Sequence, residues 1–450
     1  MMNFIFEHLT NIDSFIWGYI GFFLVVLVGC TLTFQARFFQ IRAFPSIVKT
    51  FFHFLTKQST DARGMHPLKA FFASVGGMIG IGNIVGIVTA VQIGGPGALF
   101  WVWIAALIGT IIKYSEIFLG LKHRVPNDRG GYDGGPMYFL RLAFNNRWIP
   151  IFVSVLLCIY GVEIYQFAVV TDSLTKNFDL NRYAVIGVLL GLILYANAGG
   201  IPRVGKICSW VMPLFMALYI SMSLWIIFQE ISILPDVIKS VFTSAFTGHA
   251  AIGGFVGSSA LLAIQHGISR AAYSSDIGIG YDSIIQSESN TIHPERQARL
   301  AVLGVCIDNL VCTMSILVVL MSGIWKSPIQ IEGSLLVQTA LSQYFPYMHI
   351  FMPIFLFILG YTTIIAYFCV GMKCARFLYP KYGSQLYVGF GVLSWLFFSF
   401  FDQTQALLIM SLSGALLLIT NLSGIFMLRR QITFTGESET AEAIEEKVTV

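Results

Sequence analysis

Between Phe71 and Arg124 the chain reads FFASVGGMIGIGNIVGIVTAVQIGGPGALFWVWIAALIGTIIKYSEIFLGLKHR, apolar enough for two membrane crossings. Its first half carries glycine at 76, 77, 80, 82 and 86. Each glycine weakens a helix by about 1 kcal/mol relative to alanine, so a helix that only faces lipid has no use for so many. What they permit is a break that leaves backbone N–H and C=O groups free to bind something. At membrane depth such an open turn is tolerated only where it lines a cavity in the protein. Near the bilayer midplane, half-helix N-termini can receive anionic groups and unwound carbonyls can hold cations.

The remaining composition makes lipid the expected solvent. Of 450 residues, 56% are hydrophobic and 11% charged, against roughly 25% charged in a soluble domain. Apolar runs of about 20 residues recur, the length of a membrane-spanning helix, so an all-α polytopic membrane protein is expected. The net charge of +4 matters less than where Lys and Arg fall. No basic cluster with interleaved aromatics points to nucleic acid. The seven cysteines lie in or beside apolar segments without a C-x-x-C pair, which reads as buried small hydrophobes rather than disulfides or transition-metal ligands.

Taken in order, the chain divides into eleven spans. The first, 14–34, follows Glu7 and Asp13 without Lys or Arg and without a small-residue cleavage site, which reads as a retained crossing. A basic loop comes next, with an interfacial amphipathic helix over 43–55. The broken span is 68–93, and Gly94-Gly95-Pro96-Gly97 turns into a third span ending at Lys122 and Arg124. The others are 149–174, 183–198, 207–228, 250–273, 298–324, 347–378, 386–401 and 405–428. Basic loops at 37–69, 122–147, 203–206 and 373–381, with Arg429 and Arg430, fall on one face, expected to be cytoplasmic. The loop after the seventh span is balanced, with Arg270, Arg296 and Arg299 against Asp276, Asp282, Glu288 and Glu295. This places the N-terminus outside and the acidic tail inside a plasma membrane, the inner membrane of a bacterium.

A second glycine run, Gly253-Gly254-Phe255-Val256-Gly257, sits in the seventh span, five spans after the first. Either run alone fits close helix packing through small residues. Both in register fit an inverted repeat with two broken helices. The expected division is a peripheral helix (1–34), a basic cytoplasmic loop (35–67), two five-helix halves (68–230 and 231–428) and a tail (429–450).

Several motifs resemble the alanine or glycine:cation symporter family. They are GIGNIVG (80–86), GGPGALFWVW (94–103), KYSE (113–116), GGPMY (134–138) and GGIPRVGK (199–206). GGFVG (253–257), HGISRAAYSSDIG (266–278), Thr362-Thr363, and Gln166 six residues before Asp172-Ser173-Leu174 fit as well. The resemblance spans about 65–425 and keeps the family's order. It implies the LeuT-type 5+5 inverted repeat and sodium-coupled or, in some members, proton-coupled uptake of small neutral amino acids. Backbone N–H groups at Ile81, Gly82 and Asn83 suit a substrate carboxylate. Carbonyls near Gly254 and Phe255, with the Gln166 side chain, suit its ammonium. By analogy with the LeuT-type arrangement, Gly76 and Ile79 carbonyls with Thr362 and Thr363 would hold one sodium ion. Asn83 and Asp308 are candidates for a second, although Asp308 also suits a structural pairing with a basic residue.

The chain departs from the family pattern in ways that bear on substrate. Ile81 stands where Thr is usual, Ser275-Asp276-Ile277-Gly278 where SNEAG is usual, Tyr367 for Trp and Met372 for Glu. Glu163 stands one helical turn before Gln166, where a small residue is the tendency. An intramembrane carboxylate is a functional-site hypothesis by default. It can pair with a base, hold a proton, or meet the cationic group of a larger substrate. Gln265 and His266 read as packing or loop-facing residues, and Lys113 with Glu116 as an internal ion pair. A receptor that keeps the fold without transporting is the competing reading. An enzyme is disfavoured, because no His-rich cluster, paired catalytic carboxylates or nucleophile elbow stands out. No P-loop suggests a primary pump.

Overall fold

The computed structural model describes residues 2–56, 63–247, 260–326, 333–401 and 403–434. The N-terminal apolar run is one rod: α1 (Met2–Phe15), a π-helical stretch (Ile16–Gly21) and α2 (Phe22–Gln35). It begins well before residue 14, and its most apolar window is only 33% buried. After the short α3 (Phe39–Arg42), α4 (Phe44–Thr56) stands where an interfacial helix was expected. Next come α5 (Pro67–Met78), α6 (Val88–Gly94) and α7 (Ala98–Lys122). The glycine-rich polar loop is not irregular. It forms an antiparallel hairpin of β1 (Val125–Pro126) and β2 (Tyr132–Asp133) before α8 (Pro136–Phe144).

The helices α9 (Trp148–Tyr160), α10 (Ile164–Phe178), α11 (Arg182–Ala198), α12 (Gly200–Gln229) and α13 (Leu234–Thr247) follow. Then come α14 (Ala260–Ser274), α15 (Tyr281–Gln286), α16 (Pro294–Ser322) and α17 (Gly333–Ser342). The last are α18 (Met348–Leu378), α19 (Gly383–Phe398) and α20 (Gln403–Met427). Among the described residues seven helical rods are long and apolar enough to cross a membrane, with α11 and α19 as shorter apolar helices. On α12 the outward residues include Trp210 at 78% and Phe228 at 72% exposure, while Phe215 and Tyr219 turn inward and are buried. That is the inverted surface a lipid-facing helix presents.

The expected break in the second span is present, and its glycines split into two roles. Gly76 and Gly77 still lie in α5. A Cβ on Gly76 would stand 2.6 Å from the Cys208 sulfur of α12, and one on Gly77 would overlap the phenol of Tyr281 on α15. These two glycines admit neighbours. The helix ends at Met78, Ile79 is extended, and a 3-10 turn covers Ile81–Asn83 before α6.

A second interruption separates α14 from α15, with Asp276, Gly278 and Gly280 at φ of 48°, 76° and 103°. Asp and Gly are the residues that tolerate this left-handed backbone. The run at 253–257, with Gly254 and Phe255, lies outside the described residues. A third interruption was not anticipated. Gly161-Val162-Glu163 divides α9 from α10, and Glu163 sits at φ 52°. Glu163 thus caps α10 at the junction, its carbonyl accepting from the Phe167 N–H at 3.1 Å one turn before Gln166 as expected. Arg299, counted with the loop charges although it stands at the start of the expected span 298–324, is 1% exposed within α16 and reaches Thr50 on α4.

Candidate functional site

The three interruptions meet around a cavity of about 40 Å³ lined by Gly80, Gly82, Asn83, Tyr160, Glu163, Gln166, Asp276, Thr363 and Tyr367, among others. Unwinding leaves amides that helix geometry would otherwise use. The Gly80 N–H donates to Asn83 Oδ1 at 2.9 Å, and the Asn83 N–H to the Gly80 carbonyl at 3.2 Å. The Ile81 N–H points at Gln166 Oε1, 3.3 Å away. Gln166 and the first break thus face each other across the cavity.

Asn83 also looks outward from the cavity. Its Nδ2 donates to Asp308 Oδ1 at 2.5 Å and its carbonyl accepts from Ser315 Oγ at 2.9 Å. The Ser275 hydroxyl donates to the other Asp308 oxygen. Asp308, fully buried on α16, therefore ties the first interruption to the second.

Of the other expected cation ligands, Thr363 Oγ1 lies 3.4 Å from the Gly76 carbonyl. Thr362 does not join them. Its hydroxyl turns back to the Ile358 and Leu359 carbonyls, both at 3.0 Å, and faces Met212. Consecutive residues on a helix point about 100° apart, so one helix cannot aim both threonines at the same carbonyl. Ile79 is buried at the start of the break.

The second interruption contributes chemistry that charge balance assigned to a loop. Asp276 is buried, accepts from Tyr160 at 3.1 Å and receives the Tyr367 hydroxyl. Tyr367 stacks on Tyr281 with ring centroids 3.8 Å apart. Glu163, also buried, reaches the Gln166 side chain. The cavity therefore carries two carboxylates. The signal for Asp276 was present as left-handed-tolerant residues alternating in Asp276-Ile277-Gly278-Ile279-Gly280, at the end of the motif over 266–278.

Asp282, the other supposed loop acid, is buried against Lys113 and takes the Ser74 hydroxyl as well. This corrects the expected Lys113–Glu116 pair. The interrupted α14–α15 chain lays α15 against α7 and brings Asp282 to the ammonium, while Glu116 accepts from Asn421 Nδ2 at 3.3 Å. Gln265 and His266, expected to pack or face a loop, line a separate cavity beside the N-terminal rod.

The two ends of the molecule differ. A vestibule of 430 Å³ shares Gly82, Tyr165, Tyr273 and Ser274 with the central cavity. At the opposite end Lys373 binds Asp133 at 3.0 Å, Glu288 at 2.6 Å and the Tyr132 carbonyl at 2.7 Å. Arg124 donates to the carbonyls of Ser287, Ser289 and Thr291 and lies 3.8 Å over the Tyr132 ring. Burial by itself would raise the Asp133 carboxyl, but the neighbouring Lys373 ammonium holds it below its ordinary value. A cavity of 510 Å³ at that end shares no lining residue with the central one.

The geometry defines a class: a polytopic membrane protein with a small polar cavity held between interrupted helices, joined to a vestibule at one end and tied shut at the other. Comparison with known proteins narrows it. The model of the sodium:alanine symporter family matches residues 2–440, and the chain belongs to that family. The sodium/alanine symporter AgcS of Methanococcus maripaludis is 29% identical over 435 residues, 93% of this chain and 94% of its own. The probable sodium/glutamine symporter GlnT of Bacillus subtilis is 29% identical over 446 residues, 96% and 90% of the two chains. Among solved structures, MhsT in complex with L-phenylalanine superposes with a TM-score of 0.54 at 15% identity, covering 82% of this chain and 89% of that one. The fold is thus the LeuT-type one expected from the sequence.

Proposed function

We propose that the protein is a sodium-coupled symporter of a small neutral amino acid such as alanine or glycine, working by alternating access across a bacterial inner membrane. The observation that carries this reading is the Asn83–Asp308–Ser275 linkage, which joins both interruptions beside the central cavity. The substrate carboxylate would displace Gln166 from the Ile81 N–H and lie along Ile81, Gly82 and Asn83. Its ammonium would meet the Gln166 amide oxygen and the nearby Glu163 and Asp276 carboxylates. Tyr367, held by Asp276, would close one wall.

One sodium ion would take the Gly76 carbonyl and Thr363 hydroxyl, with Ile79 beside them. Asn83 and Asp308 are the ligands proposed for a second. Ion and substrate then stabilise the same arrangement of broken helices, so each raises the other's affinity. The two five-helix halves, 68–230 and 231–428, would rock against each other, and the Lys373 and Arg124 ties would open to release the cargo. With the basic end cytoplasmic, the vestibule faces outward.

A proton in place of sodium is the second reading, favoured by one observation: Glu163 and Asp276 face the same cavity. Two carboxylates exceed the single countercharge that a zwitterion's ammonium needs. Labelled alanine, glycine and larger amino acids taken into proteoliposomes under sodium, proton or no gradient separate the two. Sodium-driven alanine uptake lost in Thr363→Ala supports the first reading. Proton-driven uptake lost in Glu163→Gln supports the second. No driven uptake by folded protein sinks both and favours a non-transporting receptor.

A further inference from the structure

Beside the central cavity lies another, of 190 Å³, between the N-terminal rod, α14 and α20. Its lining includes Asp13 from the rod, Arg270 from α14 and Ser411 from α20. The floor is fixed: Trp17 Nε1 donates to the Ser411 carbonyl at 3.2 Å, and Ser269 Oγ to the Trp17 carbonyl at 2.7 Å.

The two charges act on each other across this space without closing into an ion pair. Ser411 hydrogen-bonds the Asp13 side chain, yet Asp13 Oδ1 is buried without a hydrogen-bond partner. Arg270 makes no hydrogen bond or ion pair among the described residues, although it lines both this cavity and the vestibule. Opposite charges inside a membrane protein normally pair, because each is expensive alone. Here they face one polar space without touching, which is the complement of a zwitterion.

We propose that this cavity is a second binding site for a zwitterionic amino acid, its ammonium on Asp13 and its carboxylate on Arg270. The assignment rests on the reading that the protein binds amino acids. The route in is aqueous, since Arg270 and Tyr273 belong to the vestibule wall as well. Tyr273 also lines the central cavity and meets Trp17 edge-on at 5.5 Å. One ring therefore separates the two sites, so occupancy of one is positioned to influence the other.

The test is equilibrium binding of labelled alanine to the purified full chain, counted per molecule. Wild type is expected to bind two equivalents and Asp13→Glu to keep both. Asp13→Asn and Arg270→Met should each bind one, and Gln166→Ala should lose the central equivalent but keep the lateral one. Ser411→Ala, expected to weaken only the lateral equivalent, serves if a charge variant fails to fold. A single equivalent in wild type, or two in Asp13→Asn, overturns the second site and leaves the central one standing. No binding at all contradicts the amino-acid reading itself. In nanodiscs of phosphatidylglycerol or phosphatidylethanolamine the count should stay at two. Loss only with phosphatidylethanolamine would assign the cavity to that lipid's headgroup and overturn the amino-acid assignment.

Discussion

The first interruption is built from glycines and a neutral amide, whereas the second carries a carboxylate held by two tyrosines. At 79–87 the chain offers backbone groups, and Asn83 stitches the turn to Asp308. At 275–280 the chain offers the Asp276 side chain, tied by Tyr160 and Tyr367. A break made of backbone recognises shape and hydrogen bonds, and a break made of charge recognises charge. The cavity between them therefore meets backbone groups on one side and a carboxylate on the other, the arrangement the proposed zwitterionic substrate would use.

The linkage between the two breaks is where a substitution should cost most. Asp308→Ala strands the Ser275 hydroxyl and leaves Asn83 Nδ2 only the Cys312 sulfur, 3.2 Å away, for an expected loss of about 3 kcal/mol, read as a lower unfolding temperature in detergent. An unchanged melting curve would show that the breaks are held together by something else. Gly77→Ala comes next. Its Cβ overlaps Tyr281, and overpacking of this kind costs about 2 kcal/mol. Gly82→Ala sharpens the contrast, because its Cβ would meet only Ser274, at 3.7 Å. That variant should stay within about 0.5 kcal/mol of wild type yet bind alanine more weakly.

Removing a single phenol hydroxyl tests the charged wall. Tyr367→Phe leaves Tyr160 on Asp276 and is expected to weaken alanine binding about fivefold, near 1 kcal/mol. Equal binding would remove Asp276 and Tyr367 from the recognition surface.

The smallest effect lies at the closed end. A carboxyl whose value is depressed in the folded state contributes stability above the ordinary Asp range and loses it as pH falls through the folded value. Asp133 is such a group. The difference in unfolding temperature between wild type and Asp133→Asn should be present at neutral pH, worth under about 1 kcal/mol for a partly exposed pair, and vanish on acidification. A difference that grows in acid would contradict the Lys373 tie.

The first break was legible because glycine has one conspicuous physical consequence in a helix. Gln166, Asn83 and Thr363 were singled out through the family resemblance, and the structure places all three on the central cavity. Asp282 and Arg299 were not legible, and Asp276 was read only as a loop charge and a departure from the family motif. Charges near a span end look solvated until the chain folds back, and Asp282 finds Lys113 169 positions away. The Glu163 junction was hidden as well, since Gly161-Val162-Glu163 carries a single glycine in an otherwise continuous apolar run. Gly76 and Gly77 were read for the wrong reason: they make room for Cys208 and Tyr281 and do not themselves unwind the helix.

The most direct test of coupling is reciprocity at equilibrium. Alanine affinity would be measured with and without sodium, and sodium affinity with and without alanine, on the same purified protein. If both cargoes stabilise one arrangement of the interrupted helices, the two affinities rise by the same factor, and Asp308→Asn shrinks both factors together. Alanine binding indifferent to sodium, in protein that binds alanine, would contradict the account.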